Sequence, residues 1–166
     1  MQRIVLAAAL AALLSAGCSD PTDIAPPPTE TETGTPLPVT RLRAEPYSFS
    51  YSSGFTDSTR LTIRDAGQWQ QAWSVVWNQS SVPPLPTVDF EHEMVVVAAL
   101  GLRTGNIFVD SAFQRTDRTV VVVRKESLGK NCGSAGVFYE PVDIARIPAS
   151  TLPVTFREHS TVHDCG

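Results

Sequence analysis

The residues best suited to chemistry lie together near the end of the chain, where HSTVHDC contains His159, His163, Asp164 and Cys165. Imidazole, thiolate and carboxylate are the groups that bind zinc in proteins. A helical tail would place the two histidines on one face, but the preceding PVTFRE is typical of a strand. The sequence therefore leaves two interpretations, a metal site or a polar tail held by a disulfide, and we favour the tail.

Nucleophilic catalysis has little support in the residue pattern. The chain has three histidines and contains no GxSxG elbow or other serine-hydrolase motif. The carboxylates of Asp89, Glu91 and Glu93 are close in sequence but would point in different directions along a strand, and EHE (91–93) is typical of a solvated turn. We predict a protein that is not an enzyme and that uses no cofactor.

A second candidate site is the segment GLRTGN (101–106), which lies between two predicted strands. Its glycines permit backbone conformations that place amide groups outward, and it lacks the lysine of a phosphate-binding loop. It is either a recognition loop on a rigid sheet or a turn that only connects two strands. The first interpretation predicts a binding site made of Leu102, Arg103, Thr104, Gly105 and Asn106.

The start of the chain predicts export and lipid attachment. The apolar run IVLAAALAALLSAG follows Arg3. It is shorter than the roughly 20 apolar residues of a membrane span, and it is typical of a signal peptide over residues 1–17. The small residues before Cys18 are similar to a bacterial lipobox, which predicts a lipid on Cys18, with ordinary secretion as the alternative. Ser19, in place of aspartate, favours the outer membrane of the cell envelope.

The cysteine count agrees with this prediction. The chain has three cysteines, and an odd count in an exported protein leaves one thiol unexplained. If Cys18 carries lipid, then Cys132 and Cys165 remain, and they can pair in an oxidising compartment. We therefore predict a disulfide between Cys132 and Cys165.

Composition divides the mature chain into a tether and one domain. Residues 18–40 are rich in proline and threonine and have few large apolar groups, so they cannot bury enough surface to fold alone. Residues 41–166 have the length of a single domain. Their charges nearly cancel and form no basic patch, which excludes nucleic acid as an expected partner.

Alternation of apolar and polar residues predicts a β-rich domain. Short alternating segments separated by turns indicate strands, and the continuous apolar run from Met94 to Leu100 indicates a strand covered on both faces. Pro141 would place its strand at a sheet edge or a bulge. The predicted strands cover residues 47–53, 58–65, 94–100, 106–114, 119–125, 137–148 and 152–159.

One segment has the period of a helix instead. Trp69, Trp73 and Trp77 are spaced four apart and would share one helix face, and Asp65 followed by Gln68 is similar to a capping box. The stripe is either a ligand platform or a packing surface, and packing is favoured. The predicted fold is mainly β with one helix (α+β), an antiparallel sandwich or half-barrel of about seven strands with the Trp-striped helix packed on it.

The order of these segments resembles the PrcB family of protease-complex-subunit lipoproteins. The likeness covers about residues 60–158 and rests on the Trp helix, VDFEHEMVVVAALGLRTG, and FYEPVDIARIP followed by VTF. The family's loop usually contains a proline and ends in Gly-Tyr. Here that loop has Gly101, Arg103, Thr104 and Gly105, and then Asn106 and Ile107.

This resemblance implies a non-catalytic, lipid-anchored accessory protein of the bacterial cell envelope that binds a partner, such as a cell-envelope protease. The family's loop is also similar to that of chagasin-type cysteine-protease inhibitors, which implies an inhibitor acting through residues 101–106 as an alternative. A metal-binding protein that uses the C-terminal histidines is the third hypothesis.

Overall fold

A computed structural model describes residues 34–42, 53–77, 83–132 and 138–165. All of these lie in one compact unit, Glu32–Gly166. The predicted signal peptide, Cys18 and the strand at 47–52 fall outside the described residues. The elements, in chain order, are β1 (Thr35–Leu37), β2 (Thr40–Arg41), β3 (Thr59–Ile63), α1 (Ala66–Val76), β4 (Glu93–Ala99), β5 (Asn106–Gln114), β6 (Thr119–Leu128), β7 (Val142–Pro148) and β8 (Val154–His163).

The strands form two four-stranded sheets that pack as a sandwich. The outer sheet has the order β1-β5-β6-β8, and the central sheet has the order β2-β7-β4-β3. All pairings between these strands are antiparallel except that of β6 with β8, which is parallel. The predicted α+β class, mainly β with one helix, is confirmed, and the architecture is a sandwich.

Strand β4 is covered on both faces, as its apolar run predicts. Because side chains alternate across a strand, Val95, Val97 and Ala99 face the core shared with α1, whereas Met94 and Val96 face the core between the two sheets. The order of layers is therefore helix, central sheet, outer sheet. This arrangement places the C-terminal end of β4, and the 101–106 loop that follows it, on a fully packed support.

Helix α1 begins as predicted, because the side chain of Asp65 accepts a hydrogen bond from the amide of Gln68 at 2.8 Å. Its three tryptophans are buried in the core against the central sheet. The ring centroids of Trp69 and Trp73 lie 5.2 Å apart, and those of Trp73 and Trp77 lie 5.6 Å apart. The stripe is a packing surface.

The indole N–H groups also fix the proline-rich segment that follows the helix. Trp69 donates to the carbonyl of Pro86 at 2.9 Å, and Trp73 donates to the carbonyl of Pro83 at 3.0 Å. A buried indole needs such a partner. The chain is thereby held against the helix on its way back to β4.

A buried carboxylate joins the two sheets. Asp143 of β7 is 6% exposed and accepts hydrogen bonds from the Val109 amide of β5 at 2.7 Å, the Arg41 guanidinium at 3.0 Å and its neighbour, the Ile144 amide, at 3.1 Å. Buried charges persist where they are paired and hydrogen-bonded in this way. Asp143 therefore links β2, β5 and β7 at one point.

The folded unit begins earlier than the predicted boundary at residue 41. Residues of the expected tether form β1 and the first of the two residues of β2, and they pair with β5 and β7. Pro36 is tolerated in β1 because β1 is an edge strand of three residues, and Pro38 lies between β1 and β2. The predicted tether therefore extends no further than residue 34.

The prediction that Pro141 marks an edge strand or bulge is wrong. Strand β7 lies inside the central sheet, between β2 and β4. Pro141 immediately precedes β7, so its missing N–H removes no bond from the ladder. Its carbonyl accepts a hydrogen bond from the Leu100 amide at 2.9 Å.

Candidate functional site

The 101–106 loop joins β4 to β5 and turns at two glycines. Gly101 has φ +78° and Gly105 has φ +109°, and these are the described residues with positive φ. A Cβ on Gly101 would lie 2.8 Å from the backbone of Asp57, and one on Gly105 would collide with the carbonyl oxygen of Glu126. Glycine is therefore required at both positions for conformation and for space.

Backbone hydrogen bonds to distant segments hold the loop on both sides. The Leu102 amide donates to Thr56 at 3.1 Å. Arg103 and Tyr139 form an antiparallel bridge, with N···O distances of 3.0 Å from the Arg103 amide and 3.3 Å from the Tyr139 amide. The prediction that the glycines turn these amides outward is wrong for Leu102 and Arg103. The loop presents side chains instead.

Three of the five predicted binding residues form the outer surface of the loop. Leu102, Arg103 and Thr104 are exposed, with Leu102 at 47%. Gly105 is buried, and the side-chain amide of Asn106 donates to the Glu126 carboxylate at 3.3 Å. The last two residues therefore support the loop and do not form its contact surface.

The structure adds an aromatic residue that the sequence pattern did not identify. Phe138 is 62% exposed and directly precedes Tyr139, which pairs with Arg103. The bridge between Arg103 and Tyr139 thus brings together two segments that are far apart in the chain, and each segment carries one exposed large apolar residue, Leu102 or Phe138. The sequence predicts a strand at 137–148 but not its pairing with the loop, because the bridge between Tyr139 and Arg103 is a long-range contact.

A small cleft of about 200 Å³ opens between the loop and the end of β6. It is lined by Leu100, Arg103, Thr104, Lys125, Glu126, Ser127 and Ser160. Two of its three charged residues have ionic partners, because the Lys125 ammonium lies 2.9 Å from Glu158 and the Glu126 carboxylate lies 2.8 Å from Arg124.

Two cations stabilise the ionised form of the Glu158 side chain. Partial burial acts to raise the pKa of Glu158, but the hydrogen bond from Lys125 and the nearby charge of Arg60 outweigh it, so the pKa lies below its ordinary value. Glu158 therefore stays ionised at neutral pH and pairs with both Lys125 and Arg60. The Arg103 guanidinium differs, since it forms no hydrogen bond or ion pair with any residue that the structure describes.

The C-terminal cluster does not converge on a single point. Cys132 and Cys165 form a disulfide, with a Cα–Cα distance of 4.9 Å, which confirms the predicted pair. His159 and His163 both lie on β8, where four residues span about 13 Å. The nearest carboxylate to His159 is Asp110, at 3.6 Å from its Nε2. These residues are therefore not arranged as one tetrahedral metal site.

Glu91 and His92 form a solvated turn before β4, as predicted, whereas Glu93 is the first residue of the strand. The carboxylate of Asp89 accepts hydrogen bonds from the Glu91 amide at 3.1 Å and from the ring Nδ1 of His92 at 2.8 Å. The bond from His92 lowers the pKa of Asp89, and the bond from the Glu91 amide adds to this effect. All three side chains are exposed, and Asp89 serves as the cap of the turn.

Comparison with known proteins gives no relative for this chain. No protein-family model, curated protein or solved structure matches it at a significant level. Within the four described ranges, no helix combines the length and apolar character needed to cross a membrane.

Proposed function

We propose that this chain is a lipid-anchored, non-catalytic binding protein of the bacterial cell envelope, and that it recognises a partner protein, such as a component of a protease complex, through the 101–106 loop. Lipid on Cys18 and a short proline-rich tether would hold the folded unit near the membrane. The proposed role follows the PrcB-like order of segments in the sequence.

The observation that carries this proposal is that Arg103 combines a fixed backbone with an exposed side chain. Its backbone is fixed by Tyr139, its side chain is exposed, and exposed Leu102 and Phe138 lie in the same bridged segments. Arginine and aromatic residues are the types most enriched where interface energy concentrates. A fixed backbone also reduces the entropy that binding must overcome.

The same geometry disfavours the inhibitor alternative. A loop that enters a protease cleft as an extended strand needs free backbone groups to pair with the enzyme. Both the amide and the carbonyl of Arg103 are already bonded to Tyr139, and the amide of Leu102 is bonded to Thr56. Recognition through side chains is compatible with these bonds, whereas backbone pairing at Arg103 is not.

The metal-binding alternative is also disfavoured. Cys165 is in a disulfide and has no thiolate to offer, and the two C-terminal histidines lie apart along β8. The binding interpretation requires none of these residues.

Site-specific photo-crosslinking in native membranes tests the proposal. A benzophenone amino acid at Leu102 should give one dominant protein adduct. The same group at Leu85, which has a similar exposed fraction of 42%, is the matched control and should give none. Arg103→Ala in the Leu102 background should remove the adduct. Equal labelling from both positions, or no adduct from Leu102, would contradict a partner site on the loop.

A further inference from the structure

We propose that the cleft between the loop and β6 receives the carboxylate of an aspartate or glutamate side chain from the partner polypeptide, with Arg103 as its principal ligand. This inference rests on the proposed function and names the chemistry of the partner.

The charges of the residues that line the cleft favour binding of an anion. Lys125 pairs with Glu158, which also pairs with Arg60, and Glu126 pairs with Arg124, which also pairs with Asp110. The lining residues carry two cations, Arg103 and Lys125, and one carboxylate, Glu126. The excess is one positive charge, and Arg103 is the lining cation that forms no ion pair with a described residue. A positive cleft with low-dielectric walls attracts an anionic group from solution.

The groups around Arg103 fit a carboxylate. The guanidinium fork can donate two parallel hydrogen bonds to the two oxygens of a carboxylate. Hydroxyl groups of Thr104 and Ser160 line the same cleft, and neither has a side-chain hydrogen bond to another described residue. They are available as further donors to the same anion.

Size and charge favour a side chain over a larger ligand. At about 200 Å³ the cleft is below the usual range of roughly 300–1,000 Å³ for drug-sized ligands. One free cation matches the single charge of a carboxylate better than the nearly double charge of a free or lipid-bound phosphate monoester.

The surroundings point to a polypeptide source. Leu102 directly precedes the cleft residue Arg103, and Phe138 directly precedes Tyr139, which bridges Arg103. Both side chains are exposed, and we expect them to contact residues that flank the acidic side chain. The expected ligand is therefore an acidic residue next to apolar or aromatic residues. Burial of those flanking side chains would supply the affinity that a single exposed ion pair does not.

Selection from a phage-displayed library of random peptides tests this inference. The bait is the full chain, used as wild type, Arg103→Glu and Arg118→Glu. Arg118 is the matched control, because it lies in the turn at the opposite end of the β5–β6 hairpin and pairs with Asp117. Wild type and Arg118→Glu should enrich acidic residues beside apolar ones. Arg103→Glu should lose this preference.

Synthetic copies of the enriched peptide complete the test. Replacing its acidic residue with the amide should weaken binding to wild type at least about tenfold, and inorganic phosphate or anionic phospholipid vesicles should not compete. Enrichment of peptides without acidic residues would overturn the carboxylate proposal while leaving a partner-binding loop intact. Arg103-dependent binding to phosphate or to the vesicles would overturn the polypeptide source. Failure of wild type to enrich any peptide would contradict the inference, whereas failure of the Leu102 crosslink would contradict the proposed function itself.

Discussion

Substitution of Trp73 by alanine is expected to reduce stability without acting on the binding site. Trp73 is 3% exposed and lies between the rings of Trp69 and Trp77. A buried aromatic side chain removes about 150–250 Å² from water, which at about 25 cal/mol per Å² is an upper bound of roughly 4–6 kcal/mol. Alanine keeps part of that area, and measured tryptophan and phenylalanine truncations cost about 3–5 kcal/mol. We expect a loss of about 4 kcal/mol.

The assay is urea denaturation followed by far-ultraviolet circular dichroism, since the signal must not depend on the tryptophan removed. The transition midpoint should fall and its slope should stay constant, because a change of slope would indicate a change in the surface exposed on unfolding. Trp73→Phe is the matched control. It retains an aromatic ring but loses the hydrogen bond to Pro83, and it should cost only about 1–2 kcal/mol.

Partner capture separates packing from recognition. At temperatures where Trp73→Ala remains folded, it should capture the partner as well as wild type does. A Trp73→Ala protein with normal stability and no capture would refute the reasoning and would move the binding site from the loop to the helix.

Three other changes have defined outcomes. Cys18→Ser should move the native protein from the detergent phase to the aqueous phase, because anchoring depends on the acyl chains of that residue; an unmodified Cys18 by mass spectrometry would contradict this. Replacing Cys132 and Cys165 by serine opens a link between residues 33 apart in sequence and should lower the free energy of unfolding by about 3–4 kcal/mol; a loss near zero would refute it. Asp143→Ala leaves the Val109 amide and Arg41 without their carboxylate. It should lower the free energy of unfolding, measured by urea denaturation, by about 3 kcal/mol, and Asp143→Asn should lower it by less. Equal losses for the two variants would contradict a role that depends on the charge of Asp143.

Local patterns predicted the elements well. The i, i+4 spacing of the tryptophans and the cap at Asp65 specified α1, and the Met94–Leu100 run specified a strand buried on both faces. These predictions succeed because side-chain periodicity and capping depend on residues within one element.

Long-range pairing was not predictable from the same patterns. Nothing in the residues of β8 indicates that it pairs parallel to β6. Nothing in Thr35–Leu37 indicates that it joins β5 in spite of Pro36. The prediction that the amides of Leu102 and Arg103 point outward is wrong for the same reason. Their acceptors, the carbonyls of Thr56 and Tyr139, come from segments more than 30 residues away on either side.

The sequence therefore locates the candidate loop but does not identify all of the residues that surround it. The glycines identify the loop, and the predicted binding residues include Arg103, a residue type enriched at binding hot spots. Phe138 and the ion-paired Lys125 could be assigned to the site only once the fold placed them beside it.

The most direct test of a side-chain recognition loop is the affinity of the purified, lipidated protein for its crosslinked partner, measured for wild type, Arg103→Ala and Arg118→Ala. All three should have the same melting temperature, because Arg103 makes no side-chain bond to the described residues and Arg118 pairs only within an exposed turn. The account predicts that Arg103→Ala weakens binding by about 2 kcal/mol or more, roughly thirtyfold in Kd, whereas Arg118→Ala binds as wild type does. Unchanged affinity of a fully folded Arg103→Ala protein would contradict the account.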